Sequence, residues 1–172
     1  YKLLGRVLVL GMVLLQFNTC LGAGGVDSYG QLKVSGVNLV DSRGNTVVLH
    51  GMSTHGMQWY GNFANAGSFK ALKERGANLI RLAMYTDEGG YLDNPTIKNS
   101  VFAAADAALS QNMYVIIDWH ILHDGNPQTY KEQAKAFFAE AAGRYGHNPG
   151  VLYEICNEPN GNISWSGDVK PY

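Results

Sequence analysis

Cysteine, net charge and long hydrophobic runs are all scarce in this chain of 172 residues, and each shortage removes a class of protein. Two cysteines, Cys20 and Cys156, are too few for a disulfide-stapled scaffold. Thirteen basic side chains against fourteen acidic ones leave a net charge of −1, so neither nucleic acid nor an anionic membrane surface meets a complementary field. The uncharged run from Val7 to Leu15 is shorter than the roughly 20 residues that span a bilayer. No internal repeat, low-complexity tract or interdomain linker breaks the sequence, and no G-x-G-x-x-G turn marks a dinucleotide site. What is present is 46% hydrophobic composition, enough to build one sizeable soluble core.

The first 22 residues read as a secretory signal peptide. Lys2 and Arg6 precede the apolar run, small residues follow it, and cleavage after Gly22 places Cys20 and Gly22 at the small-residue positions. The sequence starts at Tyr1 without methionine, so the N-terminus is expected to be incomplete. The mature part, 23–172, is expected to be secreted, with no membrane association after cleavage. Cys156 is then alone in an apolar strand, with no basic neighbour in sequence, and reads as a small core residue.

Beyond the leader, short apolar runs alternate with turn residues. Leu32–Val34 and Leu39–Val40 read as a hairpin leading to a first main strand over Val47–Met52. Ser68 is placed to cap a helix carrying Phe69 and Leu72, with Gly76 to stop it. Ala77–Met84 reads as a buried strand interrupted by Arg81. Asn94-Pro95 reads as a helix start with Pro95 at the first helical position, followed by Ile97, Val101, Ala104, Ala108 and Leu109 at helical spacing. Met113–Asp118 is a third apolar strand. Asn126-Pro127 repeats the helix start, with Ala134, Phe137 and Ala141 on one face and Gly146 ending the helix. Val151–Cys156 is the fourth strand. Strands that are apolar nearly throughout, alternating with helices, imply an α/β fold with a parallel sheet covered on both faces. A doubly wound sheet and a (β/α)₈ barrel both fit that rhythm.

Polar residues cluster just past the apolar runs. His55, Trp59 and Tyr60 follow the first, Arg81 and Tyr85 belong to the second, Asp118-Trp119-His120 ends the third, and Asn157-Glu158 ends the fourth. Parallel strands put all these ends on one rim, the active-site rim in a barrel. A carboxyl at the mouth of an apolar strand is expected to be partly desolvated and so suited to act as a general acid. Amides can bind sugar hydroxyls, and flat aromatics can carry the apolar face of a sugar ring. Bland readings stand beside these. Arg81 pairs with an acid such as Glu154 for structural reasons, Trp59 and Tyr60 fill core, and Asp118 orients its neighbours. Asp118, His120, His123 and Asp124 also have the look of a short metal motif, but a metal is not expected.

At these same residues the chain resembles glycoside hydrolase family 5, the cellulase family, and within it the bacterial and nematode-type endo-β-1,4-glucanases. The motifs are "GMSTHGMQWYG", "RLAMYT", "VIIDWHIL" and "YEICNEPNG", and the resemblance runs from about Tyr29 to Tyr172. It implies a (β/α)₈ TIM barrel, of which about the first four β/α units are present, and a retaining mechanism without metal or cofactor. By resemblance Glu158 is the acid/base, Asn157 holds the nucleophile or the sugar 2-hydroxyl, and Arg81 and His120 support the nucleophile. His55, Trp59, Tyr60, Tyr85 and Trp165 match or suggest sugar contacts. The implied partner is a β-1,4-glucan, bound by a full-length enzyme that is a monomer.

Family members carry the nucleophilic glutamate on a seventh strand, which would lie beyond Tyr172. Glu154 does not replace it, because it sits inside the fourth strand. The 172-residue chain by itself is therefore expected to be inactive, with open sheet edges that invite aggregation. Two other readings stay open: a β-mannanase or other β-glycanase of the same fold, and a non-catalytic carbohydrate-binding protein.

Overall fold

A computed structural model describes residues 24–172; the expected leader and Cys20 lie outside the described residues. A short helix, α1 (Val26–Tyr29), opens the described chain. It leads into an antiparallel hairpin, β1 (Lys33–Ser35) and β2 (Asn38–Val40), with Lys33 opposite Val40. Its turn passes through Gly36 at φ 61°, a conformation that favours glycine.

Four strands then form one sheet: β3 (Gly51–Ser53), β4 (Leu79–Tyr85), β5 (Tyr114–His120) and β6 (Val151–Glu154). They lie in the order β3-β4-β5-β6 and every pairing is parallel. That order decides between the two closures the sequence allows. A doubly wound sheet reverses its strand order at a switch point, whereas a barrel adds each strand beside the last. Here the order never reverses.

The connections are helical. Between β3 and β4 lie α2 (Met57–Tyr60), a 3₁₀ turn (Gly61–Phe63) and α3 (Ala66–Lys73). The other connections are α4 (Ile97–Ser110), and a 3₁₀ turn (Pro127–Tyr130) running into α5 (Lys131–Tyr145). A π-helical turn, Trp165–Val169, follows β6. No helix among the described residues is long and apolar enough to cross a membrane.

Strand alternation sorts the core. Ile80, Leu82 and Met84, with Val115, Ile117 and Trp119, pack against Val101, Ala105 and Ala108 of α4 and Phe137 and Ala141 of α5 in one buried cluster. Small residues on α4 let that helix lie close to the sheet. A second cluster sits at the start of the strands, where Leu32, Val47 and Tyr114 pack with Leu39, Leu49 and Leu79. Tyr114 ties the two layers together by donating its hydroxyl to Gly30 O at 2.6 Å.

Four local expectations are corrected. The strand expected over Val47–Met52 shrinks to Gly51–Ser53, because Val47 bonds back to Leu39 O and Thr46 bridges Val40, so both belong to the hairpin. The cap of α3 is Asn65, whose side chain accepts from Ser68 N at 3.1 Å; Ser68 contributes its backbone N–H as the capped donor, not its side chain as the cap. Pro95 does not begin α4, which starts at Ile97; Asn94 instead accepts from Thr96 N and Thr96 Oγ1 in an Asx turn. The fourth strand ends at Glu154, before Ile155 and Cys156. Cys156 is half-buried, and burial pushes its thiol pKa up, which suits an unreactive side chain.

Candidate active site

The carboxyl-terminal ends of β4, β5 and β6 bring four side chains of the strand-end set together. In β4, Arg81, Ala83 and Tyr85 share the face opposite the helices, and Ala83 pairs with Asp118, which pairs with Glu154. Arg81 is half-buried and makes a fork with Glu154: Nε donates to Oε2 at 2.6 Å and Nη2 to Oε1 at 2.8 Å. The same Nη2 donates to Asn157 Oδ1 at 2.8 Å and lies 2.9 Å from Asp118 Oδ2. Nη1 donates to Ser53 Oγ at 3.2 Å. Hydrogen bonding to Glu154 outweighs burial and, with the charges of Asp118, Glu154 and Glu158, raises the Arg81 pKa further. The guanidinium is a fixed positive charge.

His120 ends β5. Its Nδ1 lies 2.7 Å from Asp118 Oδ2, and its Nε2 lies 3.4 Å from Asn157 Nδ2. Asp118 is fully buried; burial pushes its pKa up, while the hydrogen bond with His120 and the Arg81 charge pull it down. Asn157 is buried and completely oriented, since Oδ1 accepts from Arg81 and Nδ2 donates to Ile121 O at 3.0 Å. Its own N–H bonds to Trp119 O at 3.1 Å, which fixes the chain as it leaves β6. Glu158, the next residue, is exposed, and its side chain has no hydrogen bond among the described residues. The desolvated carboxyl expected from the sequence is therefore not what this chain presents. The apolar strand ends at Glu154, four residues earlier, and the loop carries Glu158 out to the rim. Its charge is nonetheless felt at Arg81 and Tyr85.

A line of rings adjoins this polar group. Tyr85 stacks on His120 with centroids 4.1 Å apart, and Trp59 meets Tyr85 edge-on at 5.1 Å. His55 packs between Trp59 and Tyr60, at 5.1 and 5.6 Å. Burial and the charge of Glu88 push the Tyr85 phenol pKa up, so it stays a neutral donor. Trp59 and Tyr60 are 44% and 53% exposed, which excludes a role as core filler in this chain. They sit on α2, a helix the sequence reading did not foresee. Trp165, 69% exposed on the π-helical turn, makes no ring contact with this group among the described residues. A cavity of about 390 Å³ opens beside β3, lined by Met52, His55, Tyr60, Phe63, Phe69 and Leu72. It is mainly apolar and, apart from Ser53 on its wall, holds none of the Arg81 cluster.

The short metal motif comes apart in space. Asp118 and His120 are held by each other, and the Arg81 cation occupies the side a metal would need. Asp124 accepts from Thr86 Oγ1 and Leu122 N. His123 instead pairs with Glu88, near Asp87. The partnership of Glu154 and Arg81 was visible in sequence as one acid and one base in apolar strands. Ser53 gave no signal.

Comparison with known proteins places the chain in a family. The sequence profile of the family described as Cellulase (glycosyl hydrolase family 5) matches residues 40–172. An endoglucanase of Clostridium saccharobutylicum is 51% identical over 175 residues, covering 100% of this chain and 39% of the relative. Endoglucanase N of Pectobacterium atrosepticum is 50% identical over 165 residues, covering 95% and 37%. Among solved structures, the catalytic domain of the Thermobifida fusca endoglucanase superposes with a TM-score of 0.79 at 44% identity, covering 83% of this chain and 48% of that one. A second structure of that domain, holding cellotetraose, matches equally well. This chain thus spans under two fifths of the length of these two curated relatives.

Proposed function

Because this chain belongs to glycosyl hydrolase family 5, the cellulase family, we propose that the protein is a secreted endo-β-1,4-glucanase that cleaves internal β-1,4-glucosidic bonds with retention of configuration. The observation that carries this reading is an exposed Glu158 presented directly after a buried Asn157 whose amide is locked by Arg81 and Ile121 O. A carboxyl so placed can protonate the glycosidic oxygen of a bound glucan and later deprotonate the attacking water. A nucleophilic carboxylate about 5–5.5 Å away completes a retaining pair; by family resemblance it belongs to a seventh strand, beyond Tyr172. Arg81 and His120 would hold that carboxylate, Asn157 would bond it or the 2-hydroxyl, and His55, Trp59, Tyr60 and Tyr85 would line the adjoining sugar positions. Trp165, exposed on the turn after β6, would add a further aromatic contact to the glucan. The enzyme acts as a monomer and needs no cofactor. Cellotetraose bound to the Thermobifida fusca relative supports a β-1,4-glucan as substrate.

The test is Glu158→Gln in the protein made from the complete reading frame. Its kcat on a soluble cellulose derivative should fall by roughly 10²–10⁴-fold, the usual share of general acid–base catalysis. Formation of the glycosyl-enzyme from an aryl cellobioside with a good leaving group should be largely spared. Undiminished hydrolysis of cellulose would sink the assignment. Faster turnover of mannan than of glucan would change the substrate, and cellulose binding without hydrolysis by the unaltered protein would leave a binding protein.

A further inference from the structure

Asp118 lies at the centre of the polar network although no solvent reaches it. Its side chain is fully buried, and Oδ1 has no hydrogen-bond partner among the described residues. Every polar contact it makes goes through Oδ2, to His120 Nδ1 at 2.7 Å and Arg81 Nη2 at 2.9 Å. Burying a carboxylate is costly unless its partners repay the lost hydration. An apolar side chain would fill the space beside Ala83 more cheaply if filling were its only task.

A carboxylate oxygen only accepts, so the proton of neutral His120 sits on Nδ1 and Nε2 is left as the acceptor. That Nε2 faces the donor group of Asn157, whose oxygen in turn accepts from Arg81 Nη2. Asp118, His120, Asn157 and Arg81 therefore close a ring, in which the His120 proton follows from Asp118 and Asn157 is held by Arg81 and, from outside, by Ile121 O. Reversing the His120 proton would set two donors, Nε2–H and Asn157 Nδ2–H, against each other.

We infer that Asp118 is a positioning residue of this site: by sharing Oδ2 between His120 and Arg81 it sets the His120 tautomer, so that Nε2 meets the donor group of Asn157 as an acceptor. Its kinetic consequence rests on the glycosidase reading, whereas its effect on the tautomer does not.

The experiment compares Asp118→Ala and Asp118→Asn in the protein made from the complete reading frame. Imidazole ¹H–¹⁵N correlations are recorded where the ring is neutral, with kcat and KM on a soluble cellulose derivative. The unaltered protein should show the Nδ1–H form of His120. Asp118→Ala should move the ring toward Nε2–H and lower kcat by roughly tenfold or more, with KM changed far less. Asp118→Asn should restore the Nδ1–H signature and most of kcat. Arg81 can only donate, so the amide oxygen must face it, and that oxygen still accepts from His120. The inference is overturned if Asp118→Ala keeps the Nδ1–H form or the original kcat. Should Asp118→Ala fail to fold, Asp118→Asn decides alone, and loss of the Nδ1–H form in it overturns the inference. If the unaltered protein hydrolyses no β-glycan, the glycosidase reading fails while the tautomer comparison still decides the role of Asp118.

Discussion

Arg81 and Glu154, 73 residues apart in the chain, meet in a two-point fork that reaches from β4 across β5 to β6, with Nε and Nη2 at 2.6 and 2.8 Å from the two carboxylate oxygens. With its contacts to Ser53, Asp118 and Asn157, one guanidinium joins all four strands of the sheet and the start of the Glu158 loop. Lysine offers a point charge and cannot reproduce the fork. Arg81→Lys should lower stability by about 1.5–3 kcal/mol, the usual worth of hydrogen bonds to charged groups. The denaturant midpoint of the complete protein measures it, and an unchanged midpoint would show that the fork adds nothing.

Trp59 is exposed at the rim and touches both His55 and Tyr85. Trp59→Ala should weaken cellooligosaccharide binding several-fold, in keeping with about 0.5–1.5 kcal/mol for an aromatic contact. The fold should be nearly unaffected, because Trp59 lies on the rim, 44% exposed and outside the buried core clusters. Calorimetric titration with cellotetraose reads the loss; equal affinity would remove Trp59 from the sugar path.

Asn65 and Ser68 separate two accounts of how α3 begins. The side chain of Asn65 accepts the Ser68 N–H, so Asn65→Ala should cost about 1 kcal/mol. Ser68→Ala keeps that bond and should be close to neutral. Paired melts of the two variants settle the matter, and the reverse order would restore Ser68 as the cap.

Asp41 governs the acid behaviour of the hairpin. Burial by itself would raise its pKa, but donors from Asn45 and Arg43 outweigh it and hold the carboxyl well below the ordinary carboxylate range. A depressed folded pKa stabilises above the unfolded value, near 3.9, and the stabilisation is lost as pH falls through the folded one. Hydrogen exchange of the Asn45 amide should therefore accelerate relative to its intrinsic rate as pH drops below about 4. In Asp41→Asn that amide should be less protected at neutral pH and show less of the acid-induced loss.

The sheet was legible because parallel strands buried on both faces leave near-continuous apolar runs, and Leu79–Tyr85 and Tyr114–His120 are such runs. The rim residues were legible because parallel strands end together. Strand order was not, since hydrophobicity does not say which run lies beside which. The depth of Glu158 was misread because strand length was read from the apolar run "VLYEIC", while pairing with β5 stops at Glu154. Both Asn-Pro pairs do turn the chain, yet each does so by the asparagine accepting an N–H two residues on, from Thr96 and from Gln128. The helix then follows that turn by its own count, at Ile97 and, after a 3₁₀ turn, at Lys131. The ring through Asp118 escaped notice because it depends on register, and register is a property of two strands at once.

The hairpin cluster of Leu32, Val47 and Tyr114 has a bearing on how the sheet is anchored. It packs where Leu79 and Tyr114 begin β4 and β5, whereas His120 stands at the other end of β5 and Asn157 just past β6. Footing and chemistry thus lie at opposite ends of the same strands, and a disturbance at one has the length of the sheet to cross before it meets the other.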